Sequence, residues 1–294
     1  TCRPPSTPPD PGPPRGGLAI GDAAGAPAYA PAMTDEPAVL DPLSMFRLDG
    51  RVAIVTGASA GLGRRFARVL HAAGATVVVA ARRAEALDSL VADLGDRTVA
   101  VPTDLTSDQD RQRLIAEAVT VGDGRLDVLV NNAGISTIVP AEREAPEDWA
   151  RSIEVNLTAP FRLAQLAFAP MVASGGGTIV NVSSILGLVA GTPVKQAGYC
   201  ASKGGVVNLT RELGAQWARK GVRVNAIAPG WFRSEMTEVM WGDEGSEAFV
   251  ERGTSLGREG DEHELDGALL FLASGASSYV VGQTLAVDGG WTIT

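Results

Sequence analysis

The stretch Val52-Ala53-Ile54-Val55-Thr56-Gly57-Ala58-Ser59-Ala60-Gly61-Leu62-Gly63 sets the architecture. Val52 to Val55 is an unbroken apolar run, the pattern of a strand covered on both faces. Gly57, Gly61 and Gly63 follow in a Gly-x-x-x-Gly-x-Gly turn. Leu62 to Ala73 then carries apolar residues at helical spacing, and Gly74 closes that helix. The same alternation continues downstream. Thr76 to Ala80 reads as a strand and Ala84 to Leu94 as a helix. Val99 to Val101 is followed by a helix over Asp108 to Val121. Asp127 to Val130 precedes a long helix from about Pro146 to Met171. Thr178 to Ser183, Val222 to Ala228 and Gln283 to Val287 read as three further strands, with helices over Ala201 to Lys220 and Glu262 to Leu272. Strands alternating with helices predict a parallel sheet with right-handed crossovers and helices on both faces. The expected fold is α/β: a single Rossmann-type domain over 45–294, with a doubly wound sheet of about seven strands. Ligands of such sheets bind beyond the carboxyl ends of the strands.

Composition narrows the partners. The 294 residues are 45% apolar and 20% charged, enough for one large core. Net charge is −9 and no Lys/Arg-rich run occurs, so neither nucleic acid nor an anionic membrane is expected as a partner. No apolar run is long enough to span a bilayer. Cys2, Cys200, His71 and His263 are too scattered for a disulfide framework or a zinc-ligand set, and no metal is expected. A reducing, cytoplasmic setting follows as the default. Residues 1–44 hold 11 of the 18 prolines and few large apolar residues, the composition of a disordered tail. It lacks the basic start and apolar block of a secretory signal. Our reading takes translation to begin at Met33 or Met45, with the residues upstream not part of the native chain.

The chemistry-bearing motifs fall at the strand ends. Around the first turn, Gly57, Ser59, Ala60, Gly61, Leu62 and Gly63 would let a pyrophosphate approach the backbone and meet the N-terminus of the next helix. The second strand ends Ala80-Ala81-Arg82-Arg83. The carboxylate that would bond an NAD ribose 2′-hydroxyl is missing there, and Arg82 offers charge-assisted hydrogen bonds to a 2′-phosphate. NADP(H) is thus preferred over NAD(H), against the alternative of a solvated arginine pair. Asp104, beside Leu105, can accept from an adenine amino group or cap the following helix, a role equally open to Ser107. Asn131-Asn132-Ala133-Gly134 closes the fourth strand with amides and small residues that suit a backbone passing close to a ligand. Tyr199-Cys200-Ala201-Ser202-Lys203 puts a phenol and an ammonium on one helical face. A cation beside a phenol favours phenolate, and lowering a tyrosine from about 10 to about 7 requires about 4 kcal/mol.

Together, Thr56-Gly57-x-x-x-Gly61-x-Gly63, Asn131-Asn132-Ala133-Gly134, Ser184, Tyr199-x-x-x-Lys203 and Pro229-Gly230 resemble the short-chain dehydrogenase/reductase family, from about Phe46 to the C-terminus. The resemblance implies hydride transfer between the nicotinamide of NAD(P) and the carbon of a secondary alcohol or ketone. It implies Tyr199 as general acid and base. It implies that Lys203 lowers the tyrosine pKa and holds the nicotinamide ribose. Ser184 bonds the substrate oxygen; it is chosen over Ser183 because the family's Ser-x-x-Gly register then reaches Gly187. The main-chain carbonyl of Asn156 holds a proton-relay water. Asp104, Leu105, Asn132, Ala133, Gly134, Pro229 and Gly230 become cofactor contacts beside Tyr199 and Lys203. Pro160 has no N–H for the Asn156 carbonyl, so a helix break is expected at Asn156. The loop Val189 to Gln196 is expected to bulge beside the site. Residues 231–255, rich in Gly, Glu and exposed-looking aromatics, are expected to form a mobile substrate lid. The chain is similar to gluconate-type sugar-acid and polyol dehydrogenases and to 3-oxoacyl-thioester reductases. Glu235, Glu238, Asp243, Glu244 and Glu247 in the lid count against an acidic carrier-protein partner, leaving a small-molecule substrate. An edge formed by 279–283 and 288–290, buried between subunits in relatives, implies a homotetramer. A non-enzymatic nucleotide sensor is the competing class, and the joint presence of Asn156, Ser184, Tyr199 and Lys203 opposes it.

Overall fold

In the computed structural model, β1 (Val52–Thr56) is buried along its whole length because helices cover both faces of the sheet it centres. The structure describes residues 41–235, 237 and 242–294. The expected Pro-rich tail therefore lies outside the described residues except for 41–44, and so do Met236 and Glu238. All strands are parallel, in the order β3-β2-β1-β4-β5-β6-β7. The others are β2 (Thr76–Ala81), β3 (Thr98–Pro102), β4 (Val128–Asn131), β5 (Gly177–Val182), β6 (Val222–Pro229) and β7 (Thr284–Val287).

The period of two along a strand sorts the core into two layers. Ala53, Val55, Val77 and Val79 face α1 (Gly61–Ala72), α2 (Ala84–Leu94) and α8 (Asp266–Ala273), meeting Phe66, Leu70, Leu87 and Leu269. Val52, Ile54, Val78 and Ala80 face the opposite layer. There they meet Leu114 of α3 (Asp108–Val121), Leu163 and Met171 of α5 (Ala159–Ala173) and Leu213 of α6 (Ala197–Trp217). Each such fully buried Leu or Phe contributes about 1.5–3 kcal/mol from burial alone. This is the doubly wound Rossmann-type sheet expected from the apolar runs.

Three stretches differ from expectation. The long helix after β4 is α4 (Pro146–Ile153), a π-helical turn over Glu154–Thr158, and then α5. α6 begins at Ala197 rather than Ala201, which puts Tyr199 inside its first turn. Among the described aromatics after β6, Trp231 and Phe232 are buried, not exposed, and Trp231, Phe249 and Trp291 meet edge-on with centroids 5.0 to 5.8 Å apart. Edge-to-face rings of this kind bind a segment down. They anchor α7 (Glu244–Gly253), whose N-cap is the Asp243 carboxylate accepting from Ser246 N–H at 2.8 Å.

Candidate active site

The chain leaves β1 toward β2 and β3, then returns to β4 on the other side of β1. The loops after β1 and β4 part there, leaving a cleft of about 880 Å³ beyond the strand ends. Every position expected to hold cofactor lies on it: Gly57, Ser59 to Gly63, Arg82, Asp104, Leu105, Asn132 to Gly134, Tyr199, Lys203, Pro229 and Gly230. Thr56 ties the two loops together. Its hydroxyl accepts from the N–H groups of Asn132 and Ala133 at 3.0 and 3.1 Å, and the Asn132 amide donates to the Thr56 carbonyl at 2.9 Å. Gly57 has φ +69°, and a Cβ there would lie 2.8 Å from Ala133 Cα. The turn thus requires glycine and keeps its backbone open to a ligand, as a dinucleotide pyrophosphate needs.

The Tyr-x-x-x-Lys pair converges with Ser184. The Ser184 side chain stands near the Tyr199 phenol and favours its ionised form; it is the residue just beyond Ser183, whose own hydroxyl is spent on the Lys203 carbonyl at 2.9 Å. Gly187 lies against Lys203, where a Cβ would fall 2.7 Å from its carbonyl oxygen, so the Ser184-x-x-Gly187 turn packs directly on α6. Lys203 is buried, donates to the Val182 carbonyl at 2.7 Å, and sits 5.6 Å from the centroid of the Tyr199 ring. Burial lowers its ammonium from 10.5 to about 8.

The tyrosine moves opposite to the expectation of a lowered pKa. Desolvation pushes the Tyr199 phenol up to about 12, and the nearby Ser184 side chain works against that rise. The physical reason is that the Lys203 ammonium is committed to a carbonyl and does not pair with the phenolic oxygen. The protein alone therefore presents a protonated phenol at neutral pH.

Asn156 stands behind the cleft, buried. Its side chain accepts from Ile135 N–H at 2.8 Å and donates to the Ile135 carbonyl at 2.9 Å and to Ser202 Oγ at 3.0 Å. Ser202 in turn donates to the Tyr199 carbonyl at 2.7 Å. The π turn puts the Ala159 N–H on the Glu154 carbonyl, five residues back. Pro160 comes next and has no N–H to give to the Asn156 carbonyl. The expected break thus takes the form of a widened turn, a device common at functional sites.

Asp104 and the arginine pair also resolve. Ser107 is the N-cap of α3, accepting from Asp110 N–H at 3.2 Å. The Asp104 carboxylate turns onto Thr106 N–H and Oγ1, both at 2.9 Å, and the Thr106 N–H holds it below its ordinary range. Arg82 is exposed at the cleft and makes no hydrogen bond among the described residues. Arg83 is engaged: it reaches Ser59 Oγ at 3.0 Å and Glu235 at 2.9 Å through each of two nitrogens.

Sequence reasoning missed several supports of the site. Glu144 accepts from the Gly198 N–H at 3.1 and 3.2 Å, bracing the first turn of α6. Its partner is 54 residues away, so no local signal marks it. Ser202 carried one: a small polar residue inside the apolar Tyr-x-x-x-Lys helix. The loop Val189 to Gln196 runs as turns and is pinned by the Val139 N–H on the Lys195 carbonyl at 2.8 Å.

Fold and site together define a nicotinamide-dinucleotide oxidoreductase. The profile of a family described as Enoyl-(Acyl carrier protein) reductase matches residues 57–292. Galactitol 2-dehydrogenase (L-tagatose-forming) of Cereibacter sphaeroides is 40% identical over 256 residues, covering 86% of this chain and 100% of that protein. A 3-oxoacyl-acyl-carrier-protein reductase of Rickettsia bellii (strain RML369-C) is 40% identical over 246 residues, 84% of this chain and 98% of that protein. The gluconate 5-dehydrogenase of Burkholderia cenocepacia J2315, solved in complex with NADP and tartrate, superimposes with a TM-score of 0.81 at 38% identity, covering 86% of this chain and 100% of that one. The chain belongs to the short-chain dehydrogenase/reductase family, NAD(P)-dependent oxidoreductases acting on alcohols and ketones. No helix among the described residues is long and apolar enough to cross a membrane.

Proposed function

We propose that the protein interconverts a small, free secondary alcohol and its ketone with NADP(H), using Tyr199 as the acid and base. The observation that carries this is the convergence of Tyr199, Ser184 and Lys203 at the inner end of the dinucleotide cleft. Bound NADP(H) would supply or accept the hydride. In reduction, the Ser184 hydroxyl holds the substrate oxygen and the Tyr199 phenol gives it a proton as the C=O bond becomes C–OH. In oxidation the phenol must first lose its proton to water, so that reaction gains from rising pH. Lys203 holds the nicotinamide ribose. The Asn156 carbonyl, denied a donor by Pro160, accepts a relay water. NADP(H) is preferred because Arg82 stands at the end of β2 without a carboxylate partner, and the Burkholderia relative was solved with NADP.

A groove of about 460 Å³ beside the site, lined by Ile138, Val139, Val194 and Phe249, favours 3-oxoacyl thioesters as a second reading. Its lining pairs one cation, Lys195, with Asp243, and α7 opens with Glu244 and Glu247, so its α7 side is net acidic and disfavours an acidic carrier protein. A free polyol, the substrate type printed in the Cereibacter relative's name, carries no charge and fits that surface better. We place the enzyme in the cytoplasm as a homotetramer. The test is turnover of NADPH and NADP⁺ across a carbonyl and alcohol panel, with Tyr199→Phe as control. Tyr199→Phe is expected to lose about a hundredfold or more in kcat on any substrate found. Equal turnover by both proteins removes Tyr199 from the chemistry.

A further inference from the structure

One guanidinium joins three segments that the sheet holds apart. Arg83 follows β2, Ser59 follows β1, and Glu235 follows β6, which lies three strands beyond β1 in the sheet. Both Glu235 oxygens meet Arg83 nitrogens at 2.9 Å, and Ser59 Oγ accepts from the same group at 3.0 and 3.2 Å. All three residues line the cofactor cleft. The segment carrying Glu235 also lies against the glycine turn, with Ser234 Cβ 3.5 Å from where a Cβ of Gly61 would be. The cleft is thus crossed by a clasp on the side where Arg82 and Arg83 end β2. A carboxylate there occupies the fork that a phosphate dianion would take, since both bind guanidinium in the same two-pronged way.

We propose that Glu235 is a specificity-determining residue that competes with the cofactor's 2′-phosphate for Arg83. The inference rests on the dinucleotide reading of the cleft. NADP(H) binding exchanges Glu235 for the phosphate on Arg83 and frees the Glu235 carboxylate. NAD(H) has no such group and leaves the clasp closed. Both partners are more than half exposed. Exposed pairs are weak and exchangeable, so the clasp biases affinity without blocking the site.

The experiment is a calorimetric titration of NADP⁺ and NAD⁺ into the full-length protein, Glu235→Gln, Arg83→Met and the double variant. Glu235→Gln is expected to tighten NADP⁺ about two- to fivefold, the scale of an exposed ion pair, and to leave NAD⁺ unchanged. In the Arg83→Met background the same substitution should change neither cofactor. The proposal is overturned if Glu235→Gln shifts both cofactors equally, shifts neither, or keeps its effect without Arg83. Arg82→Ala separates this from the cofactor assignment. If wild type prefers NAD⁺, or Arg82→Ala spares NADP⁺, the NADP(H) reading fails. The clasp is still judged by the change in the NADP⁺/NAD⁺ ratio on removing Glu235.

Discussion

Lys203 is a cation held inside the protein with one carbonyl for company. Its Nζ donates to Val182 at 2.7 Å, and burial takes its pKa from 10.5 to about 8. A folded value below the unfolded one means stability is lost as pH falls through that interval. Below pH 8 the penalty is complete, about 3 kcal/mol. Tyr199 acts in the opposite sense. Its folded value, about 12, exceeds its ordinary 10, so it costs stability only as pH rises above 10. Between about pH 8 and pH 10 the lysine therefore acts without interference from the tyrosine. Lys203→Met, which leaves no buried charge, should change relative to wild type over that window. Its unfolding free energy minus that of wild type is expected to fall by about 2 kcal/mol from pH 8 to pH 10, read by urea titration at each pH. A difference independent of pH would mean that Lys203 is not paying for burial. Activity should be lost at every pH, because no methionine can hold a ribose hydroxyl.

The π turn over Glu154–Thr158 shows how a helix can be shaped for chemistry. Its register turns Asn156 inward, where one amide grips both polar groups of Ile135 and reaches Ser202 on α6. Pro160 costs little here because it stands at the start of α5, where a missing N–H is tolerated. Pro160→Ala restores a donor that can bond the Asn156 carbonyl. We expect its Tm to stay within a few degrees of wild type while kcat falls about tenfold and KM holds, since the relay acts in the chemical step and not in binding. Full kcat in Pro160→Ala would leave proline with a shaping role only. The break itself was legible, because Pro160 four residues after Asn156 carries the reason locally; its form as a widened turn was not. The central strands were legible to within about a residue, since Val52 to Val55 and Val77 to Val79 are apolar throughout and buried on both faces. Where the deciding contact is distant, the sequence is silent. Arg82 and Arg83 are neighbours of one chemistry, and only Glu235, 152 residues on, decides which of them is engaged. Trp231 looks exposed until Trp291 packs on its edge. Asp104 and Ser107 stand equal as caps until the α3 backbone chooses Ser107. The direction of the tyrosine's shift is not legible either, because spacing puts an ammonium near a ring but does not say which oxygen that ammonium bonds.

At the scale of the molecule, α4, the π turn and α5 form one wall with two uses. Its inner side carries Asn156, Leu163 and Met171, all buried. Its other residues include Trp149, Phe161 and Val172, large apolar side chains left exposed. Exposed apolar groups concentrated on two successive helices mark an association surface more readily than a solvent face. If the proposed homotetramer forms through this wall, assembly presses on the elements that seat Asn156, and oligomerisation and turnover become linked. Phe161→Glu separates the possibilities. A charge cannot be buried without a partner, so the variant is expected to show a lower mass by light scattering. Its circular dichroism should be unchanged, because Phe161 is exposed within the protomer and is not part of either core layer. NADP⁺ affinity should persist, since the glycine turn after β1 and the β4 loop are tied to each other through Thr56 and not through α5. Turnover should fall with the mass, because the Ile135–Asn156–Ser202 chain loses the pressure that steadies it. A dissociated Phe161→Glu protein with wild-type kcat would show that the wall serves assembly alone. An undiminished mass would move the interface elsewhere, first to the fully exposed Tyr279 near the β7 edge of the sheet.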